Sequence, residues 1–277
     1  MEPNEKYGYA TLNALSKALF NLSYRNSKYN LFNLLNESKI AIQAHIFYKD
    51  LILDIINKTN NIPVKFDLFI STTSIEIKNI IFKIIKMYSK ANKYEIIVLQ
   101  NRGRDILPLL IQLKYRIRYY KYLCHLHSKK SFKNYYLGVI WRNYLYNNLL
   151  GSNTIISEIL SDFENTDKLG FIFPETFYEI INESFKLTRK TKKYMKFIIN
   201  KIFPNFKLGN KLDFPAGNMF WARCEAIFQI FEYNFYKKFD KENDQTNDTI
   251  MHGIERIWLY LVKLNGFYYK KIFKSFI

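Results

Sequence analysis

Short apolar runs alternate with amphipathic stretches along most of the chain. The apolar runs predict buried strands over residues 40–48, 66–71, 94–99, 120–126 and 169–174. Apolar residues at helical spacing predict helices over 50–57, 75–89 and 151–163, with Ser74 as the N-cap of the second, and a further helix after the polar loop 100–105. This alternation predicts an α/β fold of the Rossmann type, with a mostly parallel sheet flanked by helices.

Both ends of the chain and one internal segment have a different pattern. Residues 1–39 mix short apolar clusters with Asn, Ser and Lys, which favours an N-terminal helical appendage before a main domain of residues 40–277. Residues 183–211 are rich in Lys and are expected to form a mobile basic excursion. The remaining pattern predicts a compact turn and strand at 213–223, helices at 225–239 and 248–265, and a basic aromatic tail at 266–277.

The charge of the chain adds a second signal. The net charge is +18, and no Asp or Glu occurs between residues 106 and 157 or between 184 and 212. A field of this sign attracts nucleic acid, an anionic membrane surface or a phosphorylated substrate. The alternative is a solvated basic face in a Lys-rich sequence that partly reflects genomic base composition. No zinc finger, RNP-type strand or recognition helix stands out in the sequence, so nucleic acid is not an expected partner.

Cysteine content and hydropathy bear on location. Cys124 and Cys224 lie far apart and lack CxxC partners, which argues against a disulfide framework or a zinc knuckle and fits a reducing cytoplasm. The sequence has no N-terminal apolar run and no stretch of about 18 uncharged apolar residues, so neither a secretory signal nor a transmembrane helix is expected. We therefore expect a cytoplasmic protein, peripheral at the inner face of the cell membrane through its basic segments.

Polar clusters follow the third and fourth predicted strands, and ligands of parallel α/β sheets bind beyond the carboxyl ends of strands. The first cluster is Asn101-Arg102-Gly103-Arg104-Asp105. Gly103 permits a tight turn or a close backbone approach to a ligand, and arginine binds phosphate in bidentate fashion. Asp105 stands where a helix begins, so it is either a candidate catalytic carboxylate or an N-cap.

The second cluster, His125-Leu126-His127-Ser128-Lys129-Lys130, ends the fourth predicted strand. His125 and His127 point to the same side of a strand, a spacing that would permit a metal site. No carboxylate nearby in the sequence completes such a site, and the positive neighbours disfavour a cation. We therefore interpret the cluster as an anion site whose imidazole and ammonium groups face a pyrophosphate, and we expect neither a metal nor another cofactor.

The third cluster lies in residues 215–223, where small residues precede a bulky apolar run and a cation. A buried strand with a turn would explain this pattern. It would equally suit the edge of a sugar or acceptor site, in which Asn218 bonds hydroxyls, Trp221 offers a flat apolar face and Arg223 contributes charge.

The fourth cluster lies in residues 248–256. Asp248, His252 and Glu255 share one face of a predicted helix, at spacings of i, i+4 and i+7. One interpretation is an exposed polar face on an Asp-capped helix. The other is that one of its carboxylates is the general base that deprotonates an acceptor hydroxyl.

At these clusters the chain resembles the rhamnan synthesis protein F family of bacterial polysaccharide glycosyltransferases. The matching pieces, in the family's order, are HIFYKD (45–50), FDLFISTTS (66–74), QNRGRDILPLL (100–110), YLCHLHSKKS (122–131), WR (141–142), LGFIFP (169–174), PAGNMFWAR (215–223) and HGIER (252–256). The resemblance implies a GT-A-like domain that transfers a sugar, typically L-rhamnose from dTDP-rhamnose, onto a growing lipid-linked polysaccharide of the cell envelope, such as lipopolysaccharide or capsule.

The chain is also distantly similar to family 2 glycosyltransferases, whose corresponding strand ends in an Asp-x-Asp metal site. Here that strand ends in His125-Leu126-His127-Ser128, which supports a metal-independent reaction. We expect the donor pyrophosphate near Asn101, Arg104, His125, His127, Lys129 and Lys130. We expect the sugar or acceptor near Asn218, Trp221, Arg223 and His252.

For an inverting transfer the candidate bases are Glu255, then Asp248, then Asp105. Two alternatives stay open at this point. In the first, the chain is a non-catalytic basic module that docks on a membrane or nucleic acid. In the second, it is a transferase for a different sugar.

Overall fold

A computed structural model describes residues 39–130, 134–184, 187–209, 213–239 and 248–273. The strands are β1 (Ile40–His45), β2 (Phe66–Thr72), β3 (Lys93–Val98), β4 (Tyr122–His127), β5 (Leu169–Pro174), β6 (Phe220–Arg223) and β7 (Tyr268–Ile272). The helices are α1 (Ile52–Thr59), α2 (Ile75–Tyr88), α3 (Ile106–Leu113), α4 (Tyr135–Leu150), α5 (Asn153–Asn165), α6 (Ile181–Ser184), α7 (Arg189–Ile202), α8 (Gln229–Glu232) and α9 (Ile250–Leu264).

The seven strands form one mixed sheet in the order β3-β2-β1-β4-β6-β5-β7. β6 runs antiparallel to both of its neighbours, and the other strand pairs in the described residues are parallel. The predicted α/β fold with a mostly parallel sheet is therefore confirmed. The chain runs outward from β1 to β3 and then returns to place β4 on the other side of β1, so the topological switch point lies between β1 and β4.

The two faces of the sheet bury different layers, because successive side chains of a strand point to opposite sides. Ile40, Ile42 and Ala44 face a core shared with α1, α2, α4 and α5. Ala41 faces the second core, which is built with α3, α7 and α9. The central strands carry buried polar side chains as well as apolar ones, among them Gln43.

The apolar runs located most elements to within a few residues. Ser74 caps α2 as predicted, since its side chain accepts hydrogen bonds from the backbone amides of Glu76 and Ile77. The sequence pattern missed α4, whose apolar residues show little helical periodicity because parts of several faces are buried. The helix expected at 225–239 is wrong: the chain forms two 3-10 turns around the four-residue α8. Buried Phe235 and Phe239 hold this broken path against the core.

Two further expectations about chain ends and excursions are corrected. Residues 189–202 of the expected mobile excursion form helix α7, because Met195, Ile198 and Ile199 make a buried apolar stripe among the lysines. Part of the expected C-terminal tail forms β7, which pairs in parallel with β5. The expected helical appendage at residues 1–39 falls, apart from Lys39, outside the described residues. Among the described helices, none combines the length and hydropathy required to cross a bilayer.

Candidate functional site

Polar side chains from four distant segments converge at the carboxyl ends of β1 and β4. His45, the last residue of β1, lies in register with His127 at the end of β4. Because β6 is antiparallel, its first residue, Phe220, pairs with His125, so the turn before β6 lies at this same edge. We call the group formed by Asp105, His125, His127, Asn218 and Glu255 the switch-point site.

Asp105 occupies the centre of the switch-point site. Its Oδ2 atom accepts hydrogen bonds from His125 Nε2 at 3.1 Å and from Asn218 Nδ2 at 2.5 Å. Asp105 is the N-cap residue of α3, but within the described residues its carboxylate makes no capping hydrogen bond. Burial by itself raises the pKa of this carboxyl. The nearby His127 ring, followed by the hydrogen bond from His125, outweighs burial, so the pKa lies well below its usual range.

A chain of hydrogen-bonded, buried side chains leads to His125. Gln112 Nε2 donates to the carbonyl of Ile70 at 3.2 Å, which leaves Gln112 Oε1 to accept from Gln43 Nε2 at 3.3 Å. Gln43 Oε1 then faces His125 Nδ1 at 2.8 Å as an acceptor. Both ring nitrogens of His125 therefore lie within hydrogen-bond distance of an oxygen, one the amide oxygen of Gln43 and the other Asp105 Oδ2.

The other side of the switch-point site is fixed by a tryptophan. Trp258 Nε1 donates to Asn218 Oδ1 at 2.9 Å, and because indole is a donor only, Asn218 must present its amide nitrogen to Asp105. Asn218 ends a turn closed by a 2.8 Å bond from its backbone amide to the carbonyl of Pro215. Gly217 has a φ of +91° in this turn, a conformation that favours glycine.

Gly217 connects His127 to Glu255 through its own backbone. Its carbonyl accepts from His127 Nε2 at 2.9 Å, and its amide donates to Glu255 Oε1 at 3.3 Å. The first bond fixes the tautomer of His127, with the proton on Nε2 and the lone pair on Nδ1. A Cβ on Gly217 would lie 2.8 Å from Leu145 Cδ1, so close packing against α4 also requires glycine here.

Glu255 is the accessible carboxylate of the switch-point site. Its side chain is 19% exposed, and its second oxygen lies 3.3 Å from Arg256 Nη1. Burial raises the pKa of Glu255 above its usual range, Asp105 adds to this rise, and Arg256 and Lys129 oppose it. A carboxylate with a raised pKa and long hydrogen bonds is suited to take up a proton.

Asp248 and His252 have different surroundings from those predicted. Asp248 lies before α9 with a φ of +68°, so it does not share a helical face with His252 and Glu255, and that prediction is wrong. Its carboxylate accepts hydrogen bonds from Thr188, the N-cap of α7, and it joins the two helices. His252 bonds Thr249 Oγ1 through Nδ1 at 2.7 Å, and burial lowers its pKa to about 4.

Lys129 is a cation near Glu255 and Asp105. It is half-buried, and its Nζ lies 3.7 Å from the centroid of the Trp141 ring. Burial lowers its pKa, while Glu255 and Asp105 act in the opposite direction. Arg142 donates to the backbone carbonyl of Lys129 at 3.1 Å and holds this turn of chain in place.

The remaining residues predicted to contact the donor pyrophosphate have different surroundings from one another. Lys130 forms a 2.6 Å ion pair with Asp50, which engages it at the site's margin. Arg104 is exposed with a φ of +48°, and it is near enough to Lys129 and His252 to depress their pKa values. Asn101 is exposed in the same loop.

Trp221 and Arg223 are not brought to the switch-point site, which corrects their predicted role as sugar contacts. Both point to the opposite face of the sheet from Phe220. Trp221 is fully buried and donates to the carbonyl of Leu149 at 3.1 Å. Arg223 lies at the amino end of β4, where it donates to the carbonyl of Phe163 at 2.6 Å. Their residue types suggested function, but they stabilise the core.

Several residues of the arrangement were missed from the sequence, namely Gln43, Ser71, Gln112, Trp141, Arg142, Gly217 and Trp258. Gln43 and Ser71 are buried on neighbouring strands and are joined by a 3.1 Å hydrogen bond. His45, whose pKa burial lowers to about 4, also contacts Ser71, at 3.0 Å. The sequence did contain a signal for these residues, because a polar residue inside an apolar strand needs a buried hydrogen-bond partner. The described residues contain no group of three or more His, Cys, Asp or Glu side chains able to hold a metal ion.

Comparison with known proteins adds independent information. The family model described as Rhamnan synthesis protein F matches residues 14–267. Two curated relatives, each called Uncharacterized protein WxcX, come from Xanthomonas campestris pv. campestris strains B100 and ATCC 33913. Each is 25% identical over 258 residues, which cover 92% of this chain and 35% of the relative. The chain thus spans about a third of the length of these relatives.

Proposed function

Since the chain belongs to the rhamnan synthesis protein F family, we propose that it is a glycosyltransferase of polysaccharide synthesis. In this proposal it transfers a sugar from a nucleotide-activated donor onto a growing cell-surface polysaccharide. The donor we favour is dTDP-rhamnose, with L-rhamnose as the sugar. A lipid-linked glycan at the inner face of the cell membrane is the acceptor.

One observation carries the proposal: a partly exposed carboxylate, Glu255, lies near two cations, Arg256 and Lys129, at the switch point of the sheet. Its raised pKa suits a general base, the charge of Lys129 acts on it, and the backbone of Gly217 links it to His127. Such an edge is where open α/β sheets bind their ligands. A sugar transfer needs a base to take the proton of the acceptor hydroxyl and cations to stabilise the leaving diphosphate, and this site has both types of group.

The proposed reaction is an inverting displacement at the anomeric carbon. Glu255 takes the proton of the acceptor hydroxyl as its oxygen attacks, and the bond from the anomeric carbon to the diphosphate breaks. The leaving electron pair stays on the nucleoside diphosphate. Lys129 and Arg104 stabilise this negative charge, and His127 Nδ1 can accept a hydrogen bond from a sugar hydroxyl.

Asp105 and His125 act as positioning residues in this proposal. Asp105 is buried and its Oδ2 atom is engaged by both His125 and Asn218, so it is poorly placed to receive a proton from an acceptor. It instead holds Asn218, and with it the turn whose Gly217 amide contacts Glu255. Asp248 joins α7 to α9 and is removed from the list of candidate bases.

The finer fold assignment is also part of the proposal. We propose a GT-A-like domain, supported by the parallel order β3-β2-β1-β4 and the antiparallel β6 beside β4. Family 2 glycosyltransferases, to which the chain is distantly similar, carry Asp-x-Asp at the end of the corresponding strand, where this chain has His125-Leu126-His127. Fixed cations would then stabilise the leaving diphosphate without a metal.

The test is binding and transfer with purified full-length protein. Thermal shift with dTDP, dTDP-rhamnose and a panel of other nucleoside diphosphates and their sugars should reveal stabilisation by one nucleotide, because a ligand that binds the folded state raises its stability. A Lys129→Met variant should lose that shift, whereas Lys168→Met, at an exposed loop before β5, should retain it. If no nucleotide or nucleotide sugar shifts the wild-type melting temperature and an oligonucleotide does so, the glycosyltransferase proposal is overturned.

A further inference from the structure

The outward face of α7 is a dense surface of positive charge. Its exposed cations are Arg189, Lys190, Lys192, Lys193, Lys196 and Lys201. No acid occurs in the sequence between residues 184 and 212, and no ion pair to these side chains is found within the described part of the chain. The helix has 14 residues, which corresponds to a length of about 21 Å. We call this surface the α7 basic face.

The helix that carries the α7 basic face is anchored by an N-cap and by packing against the core. Thr188 caps the helix through the backbone amide of Thr191, and Met195, Ile198 and Ile199 are buried against the core. The contact with α9 is close, because a Cβ on Gly253 would lie 2.8 Å from Tyr194 Cβ. The cations therefore project from a helix whose opposite side is already occupied.

The α7 basic face continues toward the loop that carries Asp105. Phe197 is 38% exposed on this helix, and Lys238 Nζ lies 5.7 Å from its ring centroid. Phe235 lies 6.4 Å from Phe197, between centroids. Phe239 in turn packs on the loop, where a Cβ on Gly103 would lie 2.5 Å from it. A surface bound to the α7 basic face would thus lie near the edge of the switch-point site.

We propose that the α7 basic face docks the protein on an anionic phospholipid surface. Lysine ammonium groups are compact point charges that attract anionic headgroups without the planar fork that suits bidentate recognition, and five of the six cations are lysines. The exposed ring of Phe197 among them suits the interfacial region of a bilayer. The placement of a lipid-linked acceptor beside Glu255 rests on the proposed function; the docking itself does not.

The experiment is vesicle co-sedimentation of the full chain with two charge-matched variants. One variant carries Lys192→Gln, Lys193→Gln and Lys196→Gln on α7. The control carries Lys83→Gln, Lys86→Gln and Lys90→Gln, exposed residues on and just after α2, which packs on the other face of the sheet. Both variants lose three charges from a net +18, so a response to overall charge would affect them equally.

Wild type should bind vesicles that contain phosphatidylglycerol and should not bind pure phosphatidylcholine vesicles. The α7 variant should bind on the order of a hundredfold more weakly, and the α2 variant should stay within a few fold of wild type. Equal losses in both variants, or none in the α7 variant, would overturn the proposal. Preferential capture of a single-stranded oligonucleotide through α7 would overturn it as well.

Two further measurements show whether the variants remain folded and whether they still bind a nucleotide. Circular dichroism and the melting temperature should match among the three proteins, because glutamine retains helix propensity and the substituted positions are exposed. The thermal shift caused by a nucleotide should also be unchanged in the α7 variant. Loss of vesicle binding with an intact nucleotide shift supports docking, whereas an absent nucleotide shift in all three proteins counts against the proposed transferase and leaves the docking result standing.

Discussion

Both ends of β4 carry cations and carboxylates, but these groups are closely paired at the amino end and less closely paired at the carboxyl end. At the amino end, a cavity of about 380 Å³ is lined by Arg118, Tyr120, Lys121, Arg223, Cys224, Glu225 and Phe228. We call it the amino-end cavity. Its cations are matched by close acceptors: Lys121 lies 2.7 Å from Glu164, and Arg118 pairs with Glu232. At the carboxyl end, Lys129 lies on an aromatic ring, and Glu255 has contacts of 3.3 Å.

This contrast distinguishes charged side chains that stabilise the fold from charged side chains that can still bind a ligand. Close ion pairs at the amino-end cavity satisfy the polar groups within the protein itself. At the switch-point site, a central pair, Asp105 and His125, is fully engaged, while Glu255 and Lys129 around it retain capacity for further bonds. The amino-end cavity is therefore the weaker candidate for catalysis, although it is large enough to hold a ligand.

The largest expected effect belongs to Glu255→Gln. Removal of a general base lowers the rate by roughly 10²–10⁴-fold, so kcat for sugar transfer should fall by this factor while the nucleotide-induced thermal shift persists. The matched control at the amino-end cavity is Glu225→Gln, which should transfer at the wild-type rate. Near-normal transfer by the Glu255 variant would remove this residue from the mechanism.

Asp105→Asn should produce the largest loss of stability. The substitution replaces a buried carboxylate that accepts from His125 and Asn218 with a neutral amide, and a hydrogen bond to a charged group contributes about 1.5–3 kcal/mol. Glu232→Gln removes the exposed partner of Arg118 and should cost at most about 1 kcal/mol. Urea unfolding measures both free energies of unfolding. Equal losses would contradict the distinction between the two ends of β4.

Acid should destabilise the protein through the carboxyl end of the sheet. Burial lowers the pKa of His45 and His252 from 6.5 to about 4, so the unfolded chain binds protons between these values that the folded protein does not. Stability is then fully present above pH 6.5 and is lost as the pH falls toward 4, with a slope of up to about 1.4 kcal/mol per pH unit for each histidine. Chemical denaturation across this range should show a shallower slope in His45→Asn. An unchanged slope would exclude His45 as a source.

A pair of tryptophan substitutions should cost similar amounts of stability and differ in function. Trp221→Phe and Trp258→Phe each remove one buried indole hydrogen bond, at a cost of about 1–2 kcal/mol. Trp221 bonds the carbonyl of Leu149, so its variant should retain transfer. Trp258 orients Asn218 toward Asp105, so its variant should lose about tenfold in kcat/KM. Equal kinetics in the two variants would argue against a role for this orientation.

Periodicity determined much of the architecture without help from tertiary structure. Strands β1 to β5 and helices such as α2 follow from local apolar spacing and caps, because burial on one face imposes a period of 2 or 3.6 on the sequence. The same information led to wrong expectations where the signal was diluted. The apolar stripe of α7 is interrupted by lysines, and β7 is an edge strand whose residues are mostly exposed.

The sequence by itself determined that an acid-poor, histidine-containing cluster lies beyond the fourth strand, and that carboxylates at 105, 248 and 255 were candidates for chemistry. Tertiary structure decided which of them meet. Asp105 reaches His125 across 20 residues and Asn218 across 113, while Trp221 and Arg223, only a few positions from Asn218, point away. Strand period sets the face on which each side chain lies, but pairing between strands sets its neighbours, and that pairing is a property of the assembled sheet rather than of any local stretch of chain.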